Sequence, residues 1–449
     1  MRPSREIAVV LRVAGFVCLL QAVAAAGDPP EPKWTPEQKS HWSFIAPKRV
    51  EIPPVVQTSR VRNPIDAFIL EALNAGGLLP AKEADKLTLL RRVTFDLTGL
   101  PPTPEAVDAF LADARPDAYE RQVDALLRSP AYGERFARFW LDLARYAESD
   151  GFKSDKTRPN AWRYRDWVVR ALNQDMPYDR FVTLQLAGDE VSPGDEDAFI
   201  ATGFNRNWPF EDNNMVAGLN RQLMLDDITD TTSAVFLGLT VGCARCHNHK
   251  FDPISQKDYY RLQAIFAAGT PRDDFPLASP IEVALQASVE AEYLARVDRE
   301  KRSMSAVEGP YLAGLLKERI AKLPTEVRDA FETTPIRRSA FQDDLVAKFT
   351  KVMKVDSKTM QARMSPQDRK VWEVHSKSAD VLAKGTPAKL PSASGMTETS
   401  GKVPAVRLLR KGNFKVPGDE VGPGFLSVLG DLGKSNTHFS DDSSSVSGT

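Results

Sequence analysis

The sequence predicts a mainly α fold: a helical domain with a long loop and a C-x-x-C-H knuckle, then a charged helical region and an incomplete C-terminal domain. Three observations predict it. Apolar residues recur at helical spacing along most of the chain, and alternating runs of the strand type are few. Pro opens and Gly closes several of these periodic segments, which is the asymmetry helix ends require. The 449 residues include only three cysteines, so buried cores in about two or three domains, rather than a disulfide framework, must hold the chain. With 59 Lys+Arg against 60 Asp+Glu, a net charge of −1 argues against a nucleic-acid partner and against an acidic disordered chain.

Residues 1–26 read as an export signal. Arg2, Arg5 and Arg12 precede the apolar run Val13 to Leu20, and Ala22, Ala24, Ala25 and Ala26 follow. The run is short of the ~20 residues that span a bilayer, so no transmembrane segment is expected after cleavage at Ala26. Gly15-Phe16-Val17 before Cys18 lacks the small residues of a lipoprotein signal. An extended Pro-rich lead, 27–60, comes next.

The helical domain is expected over 61–270. Pro64 to Leu73 starts at a Pro and stops at Gly76-Gly77; Asp85 to Leu97 is closed by Gly99 and Pro101-Pro102; Pro104 to Leu111 and Tyr119 to Leu127 flank a turn at Pro116. From Pro130 to Ala147 the residues Tyr132, Phe136, Phe139, Trp140 and Leu143 form one stripe that reads as core. Ala161 to Leu172 and Tyr178 to Leu186 lie on either side of Met176-Pro177. From Asp189 to Leu219 the chain reads as loop, through Pro193-Gly194 and the polar run around Trp208, and a helix from Asn220 to Leu239 leads to Gly242. Ser255 to Ala267 is the last helix. A charged helical connector is expected over 271–385, a Pro/Ser/Thr/Gly linker over 386–403, and the start of a further domain over 404–449.

Loss of the signal also removes Cys18 and leaves Cys243 and Cys246, both in Cys243-Ala244-Arg245-Cys246-His247. This is C-x-x-C-H, the attachment sequence of c-type haem: two thiols three positions apart form thioethers to the haem vinyl groups, and the adjacent imidazole ligates the iron. Composition alone would produce such a pentapeptide in about 2 × 10⁻⁴ of chains. Haem c makes Cys243 and Cys246 the tethers and His247 the proximal ligand; Met215 is the favoured distal candidate, with Met176, Met224 and His375 behind it. Two alternatives stay open. Zinc would take Cys243, Cys246, His247 and His249, and an oxidising compartment would favour a Cys243–Cys246 disulfide or redox pair.

Asp226, Asp227 and Asp230 put two carboxylates at i and i+4 on one helix face, which with Glu211 or Asp212 offer oxygen ligands to a hard cation, although a solvated face explains them equally well. No phosphate loop, G-x-S-x-G elbow or H-E-x-x-H motif is present.

Several stretches together resemble a known family: Leu89-Leu90-Arg91-Arg92 through Phe95-Asp96-Leu97-Thr98-Gly99-Leu100-Pro101-Pro102, Ser129-Pro130-Ala131-Tyr132-Gly133-Glu134-Arg135, Trp140-Leu141-Asp142, Tyr164-Arg165-Asp166-Trp167, and Phe236-Leu237-Gly238-Leu239-Thr240 to His247-Asn248-His249-Lys250-Phe251-Asp252-Pro253. They are similar to the secreted planctomycete cytochrome-associated proteins, in which a DUF1549 domain (PSCyt2) is followed by a DUF1553 domain (PSD1). Leu408 to Gly424 resembles the opening of the second domain. The resemblance implies a secreted, cytochrome-like protein of undefined activity, found in bacteria that degrade complex polysaccharides. Family members often carry His where this chain has Ala131 and Phe139, so no ligand role falls on those positions.

These readings give an exported c-type cytochrome-like protein for electron transfer or periplasmic oxidation, with a periplasmic electron donor or acceptor as partner and Arg145, Arg163 and Arg165 available to haem propionates. The alternative is a zinc-stabilised module that docks a polysaccharide or a polysaccharide-degrading enzyme through aromatics such as Trp162, Trp167 and Trp208. A hydrolase built on Asp226, Asp227 and Asp230 is the remaining rival.

Overall fold

The computed structural model describes residues 33–55, 58–211, 216, 218–399 and 401–433. The export signal, Asp212 and Met215 lie outside the described residues. The chain is mainly helical, as its periodicity predicts, and it divides into two compact units: 1–275 with 392–449, and 276–391.

In the first unit α1 (Pro36–Lys39), α2 (Pro64–Ala75), α3 (Lys86–Thr98), α4 (Pro104–Ala112), α5 (Ala118–Leu127) and α6 (Pro130–Leu143) begin where the sequence supplies caps. Asn63 and Asp66 form a capping box at α2, Asp85 accepts from Thr88 N–H at α3, and Gly99 ends α3 in the left-handed region at φ 71°. The stripe expected as core on α6 is displaced. Phe139 and Leu143 are half exposed, and the buried face is Gly133, Ala137 and Ala144. Small residues let α6 approach α7 (Trp162–Asn173) closely; a Cβ on Gly133 would stand 2.5 Å from the Asn173 side chain, which accepts the Gly133 N–H at 2.8 Å.

α6 also stops before the expected Ala147, because Arg145 turns left-handed at φ 57° and Tyr146 N–H closes on Leu141 C=O at 2.9 Å. α8 (Tyr178–Val191) follows and breaks at Ala187 (φ −148°). The stretch expected as loop from Asp189 contains two short helices, α9 (Glu196–Ala201), buried from Ala198 onward, and α10 (Gly203–Arg206), buried throughout. Their apolar content, Ala198 to Ala201 and Phe204, is too brief for a periodic signal. α11 (Leu219–Thr232) passes into a π-helical turn, Ser233–Leu237, that ends at left-handed Gly238. α12 (Gln256–Ile265) starts at the Ser255/Asp258 capping box.

Strand β1 (Gly269–Pro276) leads into the second unit and β2 (Ser392–Glu398) leads out of it, and the two pair. Leu277 N–H bonds Pro391 C=O and Thr399 N–H bonds Ala268 C=O, each at 2.8 Å, so the ribbon runs antiparallel. β2 lies inside the stretch expected as a linker, with Ala393, Gly395 and Met396 buried. Within the second unit, α13 (Pro280–Ala321), α14 (Thr325–Glu332), α15 (Ala340–Thr350), α16 (Ser357–Arg363) and α17 (Pro366–Lys384) form the charged helical region, cored by Leu315, Met360 and Met364 with Trp372 against them.

After β2 the chain adds an antiparallel hairpin, β3 (Val406–Leu409) and β4 (Pro417–Val421), to the first unit. Leu408, Leu409, Val421, Leu426 and Val428 share one core with Val241, Ala244, Ile254, Tyr259, Tyr260 and Leu262. No described helix is long and apolar enough to cross a membrane.

Candidate functional site

The C-x-x-C-H segment is anchored from its inner side. Gly238 turns the chain out of the π-helical turn, and a 3₁₀ helix, Val241–Arg245, carries Cys243. Val241 and Ala244 are fully buried, which fixes this turn on the core. Behind it, Arg245 C=O accepts from Tyr260 Oη and Gln256 Nε2, both at 2.9 Å, and the same Gln256 amide reaches Leu409 C=O at 2.9 Å. Gln256 N–H bonds Asn248 Oδ1 at 2.9 Å. The motif is therefore clamped between α12 and the end of β3.

The outward groups are the chemical ones. Cys243 is exposed, Cys246 is half-buried, and both are free thiols. Cys246 caps the end of this 3₁₀ turn, its N–H donating to Cys243 C=O at 3.4 Å. Cys246 is covered on one side by Gly412 in the β3–β4 turn: a Cβ there would lie 2.5 Å from Cys246 Sγ, and Gly412 is itself left-handed at φ 70°. His247 is exposed, and its Nδ1 lies 2.7 Å from Asn248 C=O. A carbonyl accepts only, so Nδ1 carries the proton and Nε2 keeps its lone pair for a metal.

His249 is committed elsewhere. Its side chain is buried, Nδ1 accepts Asp252 N–H at 2.8 Å, and it lies 3.2 Å from Asp252 Oδ2, which shapes the turn at Asp252-Pro253. Among the described residues no three His, Cys, Asp or Glu side chains gather as a metal site. With its Nδ1 so engaged, His249 joins no common donor cluster with Cys243, Cys246 and His247 among the described residues.

The three aspartates of α11 take separate partners. Asp226 is buried and accepts from Gln222 and Gln263 at 2.9 Å and from Tyr259 Oη at 3.3 Å; Arg245 lies 3.3 Å away, linking this helix to the motif. Asp227 pairs with Arg145 at 2.7 Å; burial lowers the Arg145 pKa and raises that of Asp227. Asp230 sits beneath Gly242, and burial pushes its pKa up to about 6. Glu211 accepts Lys153 N–H at 3.2 Å.

Of the other candidates, Met224 is core beside Trp208 and Ile228, and His375 is bonded to Glu300 at 2.6 Å in the second unit. Trp167 and Trp208 are buried, whereas Trp162 is partly exposed under the Arg163 guanidinium. Arg163 donates to Ser392 C=O at 2.9 Å, and Arg165 pairs with Glu148 and Asp166.

One polar group escapes the sequence reading. Arg158 bonds Asp150 at 2.6 Å and Trp208 C=O at 2.7 Å, and Arg206, 3.9 Å from Asp150, forms a two-pronged pair with Asp273. Only the polar run around Trp208 hinted at it. No curated protein and no solved structure matches the chain. Residues 64–270, from the start of α2 through the C-x-x-C-H segment, match the family described as PSCyt2, a protein of unknown function (DUF1549).

Proposed function

We propose that Cys243 and Cys246 tether one haem c and that His247 ligates its iron through Nε2, in an exported protein that passes electrons to or from a periplasmic partner. The observation that carries this reading is the 2.7 Å contact of His247 Nδ1 with Asn248 C=O, which sets the tautomer of an exposed imidazole beside two free thiols. When bound, the haem supplies one-electron chemistry. The chain's own part is to hold the ligand: Asn248 orients His247, the buried Val241 and Ala244 fix the turn, and Gln256 with Tyr260 immobilises Arg245 C=O between the two thiols.

Export rests on the charge and apolar pattern of residues 1–26. Leu408 to Gly424 is proposed as the opening of a DUF1553-like domain.

The test is the pyridine haemochrome spectrum of protein exported from a host with a complete cytochrome c maturation system. The reading expects a c-type spectrum near one haem per chain, lost in Cys243→Ala with Cys246→Ala; His247→Ala should keep the covalent haem and shift its Soret band. His249→Ala should lower stability and keep the colour. A colourless, folded wild-type protein overturns the proposal.

A further inference from the structure

A second region, away from the thiols, has the features of a ligand site. In the first unit, α8, α11, the π-helical turn, α12 and β2 enclose a cavity of about 420 Å³, within the ~300–1,000 Å³ of small-molecule sites. Its walls are apolar, with Ile228, Phe236, Leu262, Phe266, Met396 and Phe425 among them. Two of its walls depart from regular helix where they face it: α8 breaks at Ala187, and Thr232, Ser233, Phe236 and Leu237 come from the π-helical turn or the residue before it. Such π turns occur frequently at functional sites.

The polar groups of this cavity are all acceptors or hydroxyls. Asn205, one of the lining residues, is 4% exposed; its amide nitrogen is spent on Gln185 C=O and Leu186 C=O, and its Oδ1 is buried without a hydrogen-bond partner. Thr232 Oγ1 is buried there without a partner too. Asp189, Glu190 and Glu398 add three carboxylates, of which Glu190 and Glu398 are exposed and so mark the mouth. Burial raises the pKa of Asp189 and Glu190, and repulsion from Glu398 adds to it. Among the described residues no lysine or arginine lines the cavity.

We propose that this cavity binds an amphiphilic organic cation, its alkyl or aryl body among Ile228, Phe236, Leu262 and Met396 and its ammonium group among Asp189, Glu190 and Glu398, with Asn205 Oδ1 as a buried acceptor. An ammonium has only donors, which complements an acceptor-only rim, and burial of an apolar body supplies the affinity. An anion of the same shape would meet three like charges. The proposal is independent of the thiol site.

The test is calorimetric titration of the exported, full-length protein with n-octylammonium, n-octanol and octanoate at neutral pH. Saturable one-to-one binding of n-octylammonium, weakened by salt and by about tenfold in the Glu190→Gln/Glu398→Gln variant, is the expected result. These two side chains are exposed, so the variant folds. Thr232→Leu, which fills the cavity, should abolish binding with the thermal transition retained. Equal affinity for octanol or octanoate, an unchanged affinity in the double variant, or no saturable binding of n-octylammonium overturns the proposal.

Discussion

Asp230 is held where its charge is costly. With its pKa raised to about 6 by burial, the folded protein keeps this carboxyl protonated over a range where the unfolded chain, with an ordinary carboxylate near 3.8, has released the proton. Stability therefore falls as pH rises from about 4 to about 6, and the loss persists above that window. Asp230→Asn should stabilise the protein by on the order of 2 kcal/mol at pH 7.5 and by almost nothing at pH 4, read from urea midpoints at the two values. Gly412 makes the opposite demand: left-handed, and 2.5 Å from Cys246 Sγ if it bore a Cβ, it has no room for a side chain. Gly412→Ala should cost about 1–2 kcal/mol and speed the reaction of Cys246 with a disulfide reagent, measured in a Cys243→Ser background. The C-x-x-C-H pattern was legible in the sequence because its spacing is local. Neither the cover over Cys246 nor the tautomer of His247 was, since Gly412 comes from distant sequence and the tautomer from a backbone carbonyl orientation.

At the scale of elements, Pro64, Pro104 and Pro130 made three helix starts legible, and the structure adds that Asn63, Thr103 and Ser129 before them, like Asp85 and Ser255 at their own helices, accept orphan N–H groups. Helix ends and irregular turns were less so. Arg145 ends α6 where a Gly is usual, and the pairing of its guanidinium with Asp227 at 2.7 Å holds it in the left-handed backbone. α9 and α10 are too short to show a period. α12 does more than its capping box announces, because Asp258 also accepts Ser427 N–H at 3.1 Å and Ser427 Oγ at 2.8 Å, with Arg261 at 3.1 Å. Asp258 is fully buried, so its removal orphans the Ser255 N–H, the Ser427 N–H and the Ser427 hydroxyl it accepts from. Asp258→Ala should lower stability by about 3–5 kcal/mol and release residues 422–433 first, seen as early hydrogen exchange at Ser427.

For the whole molecule, the second unit interrupts the first. Leu277 and Pro391 are joined by a 2.8 Å backbone hydrogen bond, so the interruption starts and finishes at one place. Replacing residues 278–390 with a short Gly-Ser linker should leave the thermal transition of the first unit and the exposure of Cys243 unchanged; a molten product with strong dye binding would refute the division. Composition announced the charged helical stretch, but the return to the first unit depends on β2 pairing with β1 across more than a hundred residues and on the β3–β4 hairpin packing against Val241, Ile254 and Tyr259, which no local pattern encodes. That topology also sets a clock. Gly412 lies 166 positions behind Cys246, and at about 5–20 residues per second it follows on the order of ten seconds later as the chain emerges. During that interval the second thiol lacks its glycine cover and the Tyr259-Tyr260 core lacks its hairpin, so covalent chemistry at Cys246 has its widest opening before the fold is complete.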